Sequence, residues 1–279
     1  MAIRHLSKRP QPHYLDHGPY HVVDEAARQI GRDSQICMGV SGGKDSIVTL
    51  ALCRSRFASV RGYFLYTIPD LSFQENFLCH LEKLYDCPID RLPNPHLTSH
   101  FKSSTFRHPT ARNRKVRHIS IRDIENHLRA KHGTFQYVAV GEKGSDSMER
   151  QAMIRKCGGI DHARKRIYPL SFWNDSMVYS YIRQQRLPMP VDYHLLNQTA
   201  DRKLRDRSFV PFASDQLLVI RNRYPDDYDR IMRFFPFLEA NVFRYEQQLR
   251  EAENDEASEK AVREGRTKTQ AKGGKSDAS

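Results

Sequence analysis

Apolar positions in this chain come in short continuous runs that alternate with stretches at helical spacing. Residues 36–40 form a compact apolar run between Asp33-Ser34 and Ser41-Gly42-Gly43, the pattern of a buried strand entering a tight turn. Ile47, Val48, Leu50, Ala51, Leu52 and Phe57 then recur at helical spacing, which makes the turn a strand-to-helix junction. Residues 60–66 predict a second strand, and 73–85, with Phe77, Leu78, Leu81 and Leu84, the helix behind it. A third strand is predicted at 89–92, reached through Cys87-Pro88, where proline stops the preceding helix. Residues 93–118, with their prolines and many Arg, His and Ser, read as irregular. A helix at 119–131 closed by Gly133, a strand at 135–140, a last short strand at 166–170 and a helix over 174–185 capped by Asn174 or Asp175 complete the pattern. With a short helix at 22–30 in front, these elements predict an α/β fold. Its parallel sheet has roughly five strands and carries helices on both faces.

Beyond residue 187 the strand signals fade. Residues 215–223, 226–235 and 238–249 show helical spacing with aromatic residues on one face. The expected organisation is an irregular arm over 1–19, an α/β domain over 20–190, a helical C-terminal region over 191–251 and a charged tail over 252–279. That tail has no aromatic and almost no large apolar residue. Burial there cannot offset a backbone ordering cost of ~1–2 kcal/mol per residue, so the tail is predicted to be disordered, with helix fraying into its start.

Composition narrows the setting more than the chemistry. The chain has no run of eighteen apolar residues and no apolar segment behind its charged start, which predicts neither membrane insertion nor secretion. Five cysteines, Cys37, Cys53, Cys79, Cys87 and Cys157, form no CxxC pair, and Cys37 and Cys53 fall in apolar runs that look like core. Reduced thiols in the cytoplasm are expected. A net charge of +12 attracts polyanions over about a Debye length, ~8 Å at physiological salt, without choosing among them. The thirteen histidines show no metal-ligand spacing, so no structural metal is predicted.

The candidate chemistry sits at the first strand-to-helix turn, Ser41-Gly42-Gly43-Lys44-Asp45-Ser46. Two glycines let the backbone turn sharply so that successive N–H groups converge, and the following helix offers its free amides and positive dipole end to an anion. Ser41 and Ser46 supply hydroxyls and Lys44 a full charge. Asp45 either caps the helix, the simpler assignment, or helps hold a Mg2+ that bridges phosphates. The turn is not a Walker A loop, which needs glycine where Met38 stands and Ser or Thr where Asp45 stands, nor a GxGxxG turn.

Placed after a buried strand, this hexapeptide resembles the PP-loop of the adenine nucleotide alpha-hydrolase superfamily. Residues 66–75, 141–150 and 168–173 are similar, more loosely, to its PAPS reductase-like branch. The likeness spans roughly residues 30–195. It implies binding of ATP or a related adenine nucleotide such as PAPS, with Mg2+, in a cradle of Ser41, Gly42, Gly43, Lys44, Asp45 and Ser46. Gly141 and Arg150 fall where the branch contacts nucleotide or substrate, which makes Lys44, Asp45 and Arg150 the candidate catalytic residues. The resemblance also has a departure. Thiol-dependent PAPS reductases carry a reactive cysteine in a C-terminal Glu-Cys-Gly-Leu-His type segment, and no cysteine follows Cys157 here. Reduction by that route is not expected, nor is an iron–sulfur cluster, given the cysteine spacing.

Two function classes follow. One is an enzyme that cleaves ATP between its α and β phosphates and adenylates an acceptor not identified by the sequence, with a sulfonucleotide-handling variant as its close relative. The other is a nucleotide-dependent nucleic-acid-binding or regulatory protein, suggested by the basic segment 106–118. Arg155, a sulfur-carrying role for Cys157, Mg2+ ligation by Glu142, Asp146 or Asp161, and a homodimer are left open.

Overall fold

The computed structural model describes residues 18–133, 135–191, 193, 209 and 211–273. Residues 1–17 of the predicted arm and the end of the tail over 274–279 lie outside the described residues. The first helix, α1 (His21–Ile30), leads into β1 (Gln35–Gly39), and α2 (Lys44–Arg54) follows the turn behind it. Then come β2 (Ser59–Tyr66), α3 (Ser72–Tyr85) and β3 (Ile89–Pro93). Helices α4 (Pro95–Ser103), α5 (Ala111–Arg114) and α6 (Ile121–His132) lie between β3 and β4 (Tyr137–Ala139). After β4 the chain forms α7 (Met148–Cys157), β5 (Ile160–Asp161), β6 (Arg166–Ile167) and α8 (Asp175–Gln185).

The strands form one sheet in the order β3-β2-β1-β4-β6-β5. All neighbours are parallel except β5 and β6. Central β1 is buried on both faces. Ile36 and Met38 pack into the larger core with α1, α2, α3 and α8, while Cys37 packs with Ile124 and Leu128 of α6 on the other face. Such two-sided burial explains why β1 reads as a continuous apolar run rather than an alternating one. Helix α2 is likewise enclosed, with Ile47, Val48, Leu50, Leu52 and Cys53 all buried. Each such side chain contributes about 1.5–3 kcal/mol by leaving water, which fixes the start of α2 against the sheet edge.

The sheet has six strands, in keeping with the roughly five expected; β5 is two residues long and carries no periodicity to read. Two expectations from the sequence need correction. The stretch 93–118 is not wholly irregular. Asn94 accepts a hydrogen bond from the amide of His96 (2.9 Å) and Pro95 stands at the first helical position, so α4 starts there, yet only Leu97 of that helix is buried and no stripe betrays it. Helix α7, capped by Ser147 and anchored by buried Ile154 alone, is absent from the sequence pattern for the same reason.

The fold comprises two compact units, Met1–Thr105 with Pro109–Phe209, and Phe106–His108 with Val210–Ser279. The second contains α9 (Ser214–Arg223), α10 (Pro225–Phe234) and α11 (Leu238–Gly273) around Leu217, Ile220, Ile231, Phe235 and Val242. The predicted boundary at 190/191 thus differs from the observed division near 209/210. Helix α11 also continues through residues 252–273, where composition predicts disorder. Ala, Glu, Lys and Arg are strong helix formers, and a helix already nucleated by packing extends by one hydrogen bond per residue. Among the described residues no helix is long and apolar enough to cross a membrane.

Candidate functional site

β1 has β2 on one side and β4 on the other, so the chain order reverses at its C-terminal end, the place where open α/β sheets leave a crevice. The turn 41–43 lies there. Gly42 has φ 77°, a backbone region that favours glycine, and Gly43 stands extended as the N-cap of α2 with no side-chain cap. The amide of Gly43 donates to Ser41 Oγ (3.2 Å), Ser46 Oγ donates to the Gly43 carbonyl (2.8 Å), and the Lys44 amide donates to the Tyr193 hydroxyl (3.0 Å). Two amides at the helix start are therefore satisfied by hydroxyl oxygens. Asp45 does not cap the helix, contrary to the simpler expectation: it sits one residue inside the first turn, and its carboxylate faces lysines.

Those lysines are Lys44 and Lys143. Lys44 Nζ lies 3.3 Å from Asp45 Oδ2 and 3.3 Å from Asp175 Oδ1. Lys143 is 2% exposed, and its Nζ reaches Asp45 Oδ2 at 2.8 Å, Asp146 Oδ1 at 3.1 Å and Asp175 Oδ1 at 3.5 Å. Burial opposes both ammonium charges, but the carboxylates outweigh it and hold both lysines above their ordinary pKa. For Asp175, burial again opposes the charge, and Lys44 and Lys143 hold the carboxyl below its usual range. Asn174, not Asp175, caps α8 by accepting from the Met177 amide (2.9 Å), which leaves Asp175 to the lysines.

The loop after β4 brings the rest. Gly141 packs so tightly on α2 that a Cβ there would stand 3.2 Å from the Asp45 backbone carbon and oxygen and from Thr49 Oγ1. A glycine here lets the β4 loop close on the start of α2. Arg150, in the first turn of α7, pairs with Asp146 (3.2 Å) and lies 3.9 Å from Glu142. Arg155 is exposed on the same helix. Sequence reasoning singles out Gly141 and Arg150 and misses Lys143, because Glu-Lys-Gly after a strand looks like an ordinary polar turn. Its position just beyond the end of an apolar strand is the one available signal.

The thiols divide by burial. Burial pushes Cys37 and Cys53 up to about 12 and Cys87 up to about 11, so all three stay protonated at neutral pH. Cys157 ends α7, half-buried, with its Sγ donating to the Ile154 carbonyl (3.5 Å). In the basic cluster 162–166, Arg166 is committed to buried Glu125 (2.8 Å). Asp161, another open Mg2+ candidate, lies on β5 and pairs with Arg164 (3.6 Å).

Among the described residues no group of three His, Cys, Asp or Glu is arranged to hold a metal ion. The chemistry of the turn nevertheless fits a Mg2+ that arrives with a nucleotide. Asp45 Oδ1 is buried and accepts no hydrogen bond from the described residues, and Mg2+ commonly takes one or two carboxylates and completes its shell with phosphates and water.

A parallel sheet with this loop at its switch point defines a PP-loop protein of the adenine nucleotide alpha-hydrolase type. Residues 35–198 match the phosphoadenosine phosphosulfate reductase domain, and the chain belongs to that family. No curated protein matches it. Among solved structures it is similar to a phosphoadenylyl-sulfate reductase from Candida auris in complex with phosphate (13% identity, TM-score 0.44, covering 70% of this chain and 91% of that one). An NH3-dependent NAD synthetase from Campylobacter jejuni (13% identity, TM-score 0.42, 81% and 90%) and the tRNA thiolase NcsA from Methanococcus maripaludis with its [4Fe-4S] cluster (16% identity, TM-score 0.39, 78% and 80%) are also similar.

Proposed function

We propose that the chain is an ATP pyrophosphatase-type enzyme of the PAPS reductase-like branch, which binds ATP and adenylates an acceptor with release of pyrophosphate. The observation that carries this reading is the convergence of the α2 amides with Lys44 and buried Lys143 beside the glycine turn. In this reading the amides of residues 42–46 and the Ser41 and Ser46 hydroxyls hold the β and γ phosphates, which take the places of the hydroxyl oxygens now accepting from Gly43 and Lys44. An acceptor oxygen attacks the α phosphorus, the α–β P–O bond breaks, the acceptor's proton passes to solvent, and pyrophosphate leaves. Lys44 and Lys143 neutralise charge as it develops on the leaving group, and Arg150 contacts the acceptor side. Gly141 positions the loop, while Asp45 holds Lys143 and would hold Mg2+, which when bound supplies further charge neutralisation.

Charge balance supports the need for that cation. Among the described residues the cluster sets Lys44, Lys143 and Arg150 against Asp45, Asp146, Asp175 and Glu142, three cations against four carboxylates. A polyphosphate entering alone would meet a locally uncompensated negative charge.

The family match favours one second reading, binding of a sulfonucleotide without thiol-dependent reduction. The test is release of pyrophosphate and AMP from ATP with Mg2+, alongside Lys44→Ala and Asp45→Ala. Pyrophosphate formed by the wild type and lost in both variants is expected. Release that survives both variants overturns the site, and no release with tight PAPS binding selects the second reading.

A further inference from the structure

A groove of about 580 Å3 opens along α6 from Asp123 to Ala130, beside the C-terminal end of β3. We propose that it seats an unpaired base of a single-stranded nucleic acid, whose phosphates run over the basic segment 111–118. This concerns binding and goes beyond the nucleotide site; it stands whether or not ATP is cleaved.

The groove has the walls such a base needs. Leu92, Pro93, Ile119 and Ile124 give apolar surface for a planar ring, and Asp123, Asn126 and His127 present polar groups to its edge. Asp123 also decides what does not enter. Hydrogen bonds from the Ser120 amide and hydroxyl, with Arg117 and His118 nearby, hold its carboxyl below the usual range, so it is anionic and repels a phosphate. A ligand that puts a neutral ring in the groove must carry its phosphates outside, and positive charge waits there. Residues 111–118 hold Arg112, Arg114, Lys115 and Arg117 and no acidic residue. All four side chains are exposed, and Arg117 also lines the groove.

Position adds a third argument. Pro93 pairs in register with Tyr66, so the end of β3 lies at the same sheet edge as the turn after β1. A bound strand would lie toward that edge on the α6 face of the sheet, opposite α2. A duplex is disfavoured because its bases are stacked and paired.

Fluorescence anisotropy with labelled twelve-residue oligomers tests this, in a DNA arm and an RNA arm, beside a duplex and an abasic deoxyribose-phosphate oligomer. Single strands of one or both kinds should bind in preference to the other two. The log of the affinity should fall with log salt at a slope near −3, about 0.7 for each of four phosphates. Arg114→Gln combined with Lys115→Gln and Arg117→Gln should flatten that slope by about 2. Ala130→Phe, at an exposed helical position lining the groove, should weaken the oligomer roughly tenfold by filling the base's seat while ATP binding and the melting temperature hold. The proposal is overturned by an abasic oligomer that binds as well as the intact one, by affinity unchanged in either variant, or by no single-strand binding at low salt. ATP binding, read in parallel, separates any of these from a failure of the nucleotide site.

Discussion

Replacing Lys143 by methionine keeps the aliphatic stem in its buried channel and removes only the charge. Removing one partner of a fully buried ion pair costs about 3–5 kcal/mol when the other is left alone. Neither well-shielded carboxylate is left alone here. Asp45 keeps Lys44 at 3.3 Å and Asp146 keeps Arg150 at 3.2 Å. The Asp175 side chain is 65% exposed, so water screens its 3.5 Å pair with Lys143, which adds only a small part of the loss. The loss reduces to one charge-assisted bond at 2.8 Å and one at 3.1 Å, both partly backed by another cation, about 2 kcal/mol together. A folded body of this size should then melt about 4–8 °C lower. If Lys143 also contacts a nucleotide phosphate, ATP affinity should drop roughly tenfold to a hundredfold beyond what folding explains. Thermal melts with and without ATP and Mg2+, with calorimetric titration well below the melting point, separate the two effects. Unchanged melting would refute the electrostatic reasoning, and lower melting with unchanged ATP affinity would confine Lys143 to a structural role.

Gly141→Ala should force the β4 loop off the Asp45 backbone, costing about 1–3 kcal/mol in a denaturant titration and weakening ATP with it; full stability would show that the loop gives freely. Tyr193→Phe removes a hydroxyl that accepts from the Lys44 amide, so ATP affinity by calorimetry should stay within about threefold of wild type, and a tenfold loss would make that hydroxyl part of the binding site. The lowered Asp175 carboxyl contributes stability above the ordinary carboxylate pKa, near 4, and that stability is lost as pH falls through the lowered value. The difference in melting between wild type and Asp175→Asn should therefore be constant from pH 7 to about 5 and vanish towards pH 2; a difference that persists in acid contradicts the pairing. Lys44 and Lys143, raised instead, contribute stability below the ordinary lysine value that is lost only as pH rises through their raised values, outside that window. Cys157→Ser should leave pyrophosphate release unchanged, and its loss would reopen a sulfur-carrying role.

The sheet is legible in the sequence wherever burial is two-sided and continuous. The predicted β1, β2 and β3 agree with the observed strands within a residue at most ends, as do α1, α3 and α8, whose apolar residues repeat over several turns. Helices α4 and α7 bury a single apolar side chain each, so their existence depends on caps and neighbours rather than on pattern. The glycine turn is legible as an anion site because backbone geometry there is written in local sequence. Its partners are not. Lys143 and Asp175 lie about 100 and 130 residues from Lys44, and only the β1–β4 and α2–α8 packing brings them together.

That packing has a consequence for how the site works. Lys44 and Lys143 are both held by carboxylates, so an incoming phosphate does not find free cations; it must share or exchange them. Exchange costs little because a buried ammonium gains similar energy from either oxyanion, and the lysine heads are already in place, so little side-chain entropy remains to be lost on binding. The same arrangement makes occupancy conditional. In the proposed reading, with four carboxylates facing three cations among the described residues, a polyphosphate would be admitted readily only with a divalent cation on its oxygens, and Asp45 Oδ1 would be a buried acceptor for that cation. Affinity for ATP should then collapse without Mg2+ and recover in part when Asp175 is made neutral, since Asp175→Asn removes one opposing charge while leaving Asp45 intact.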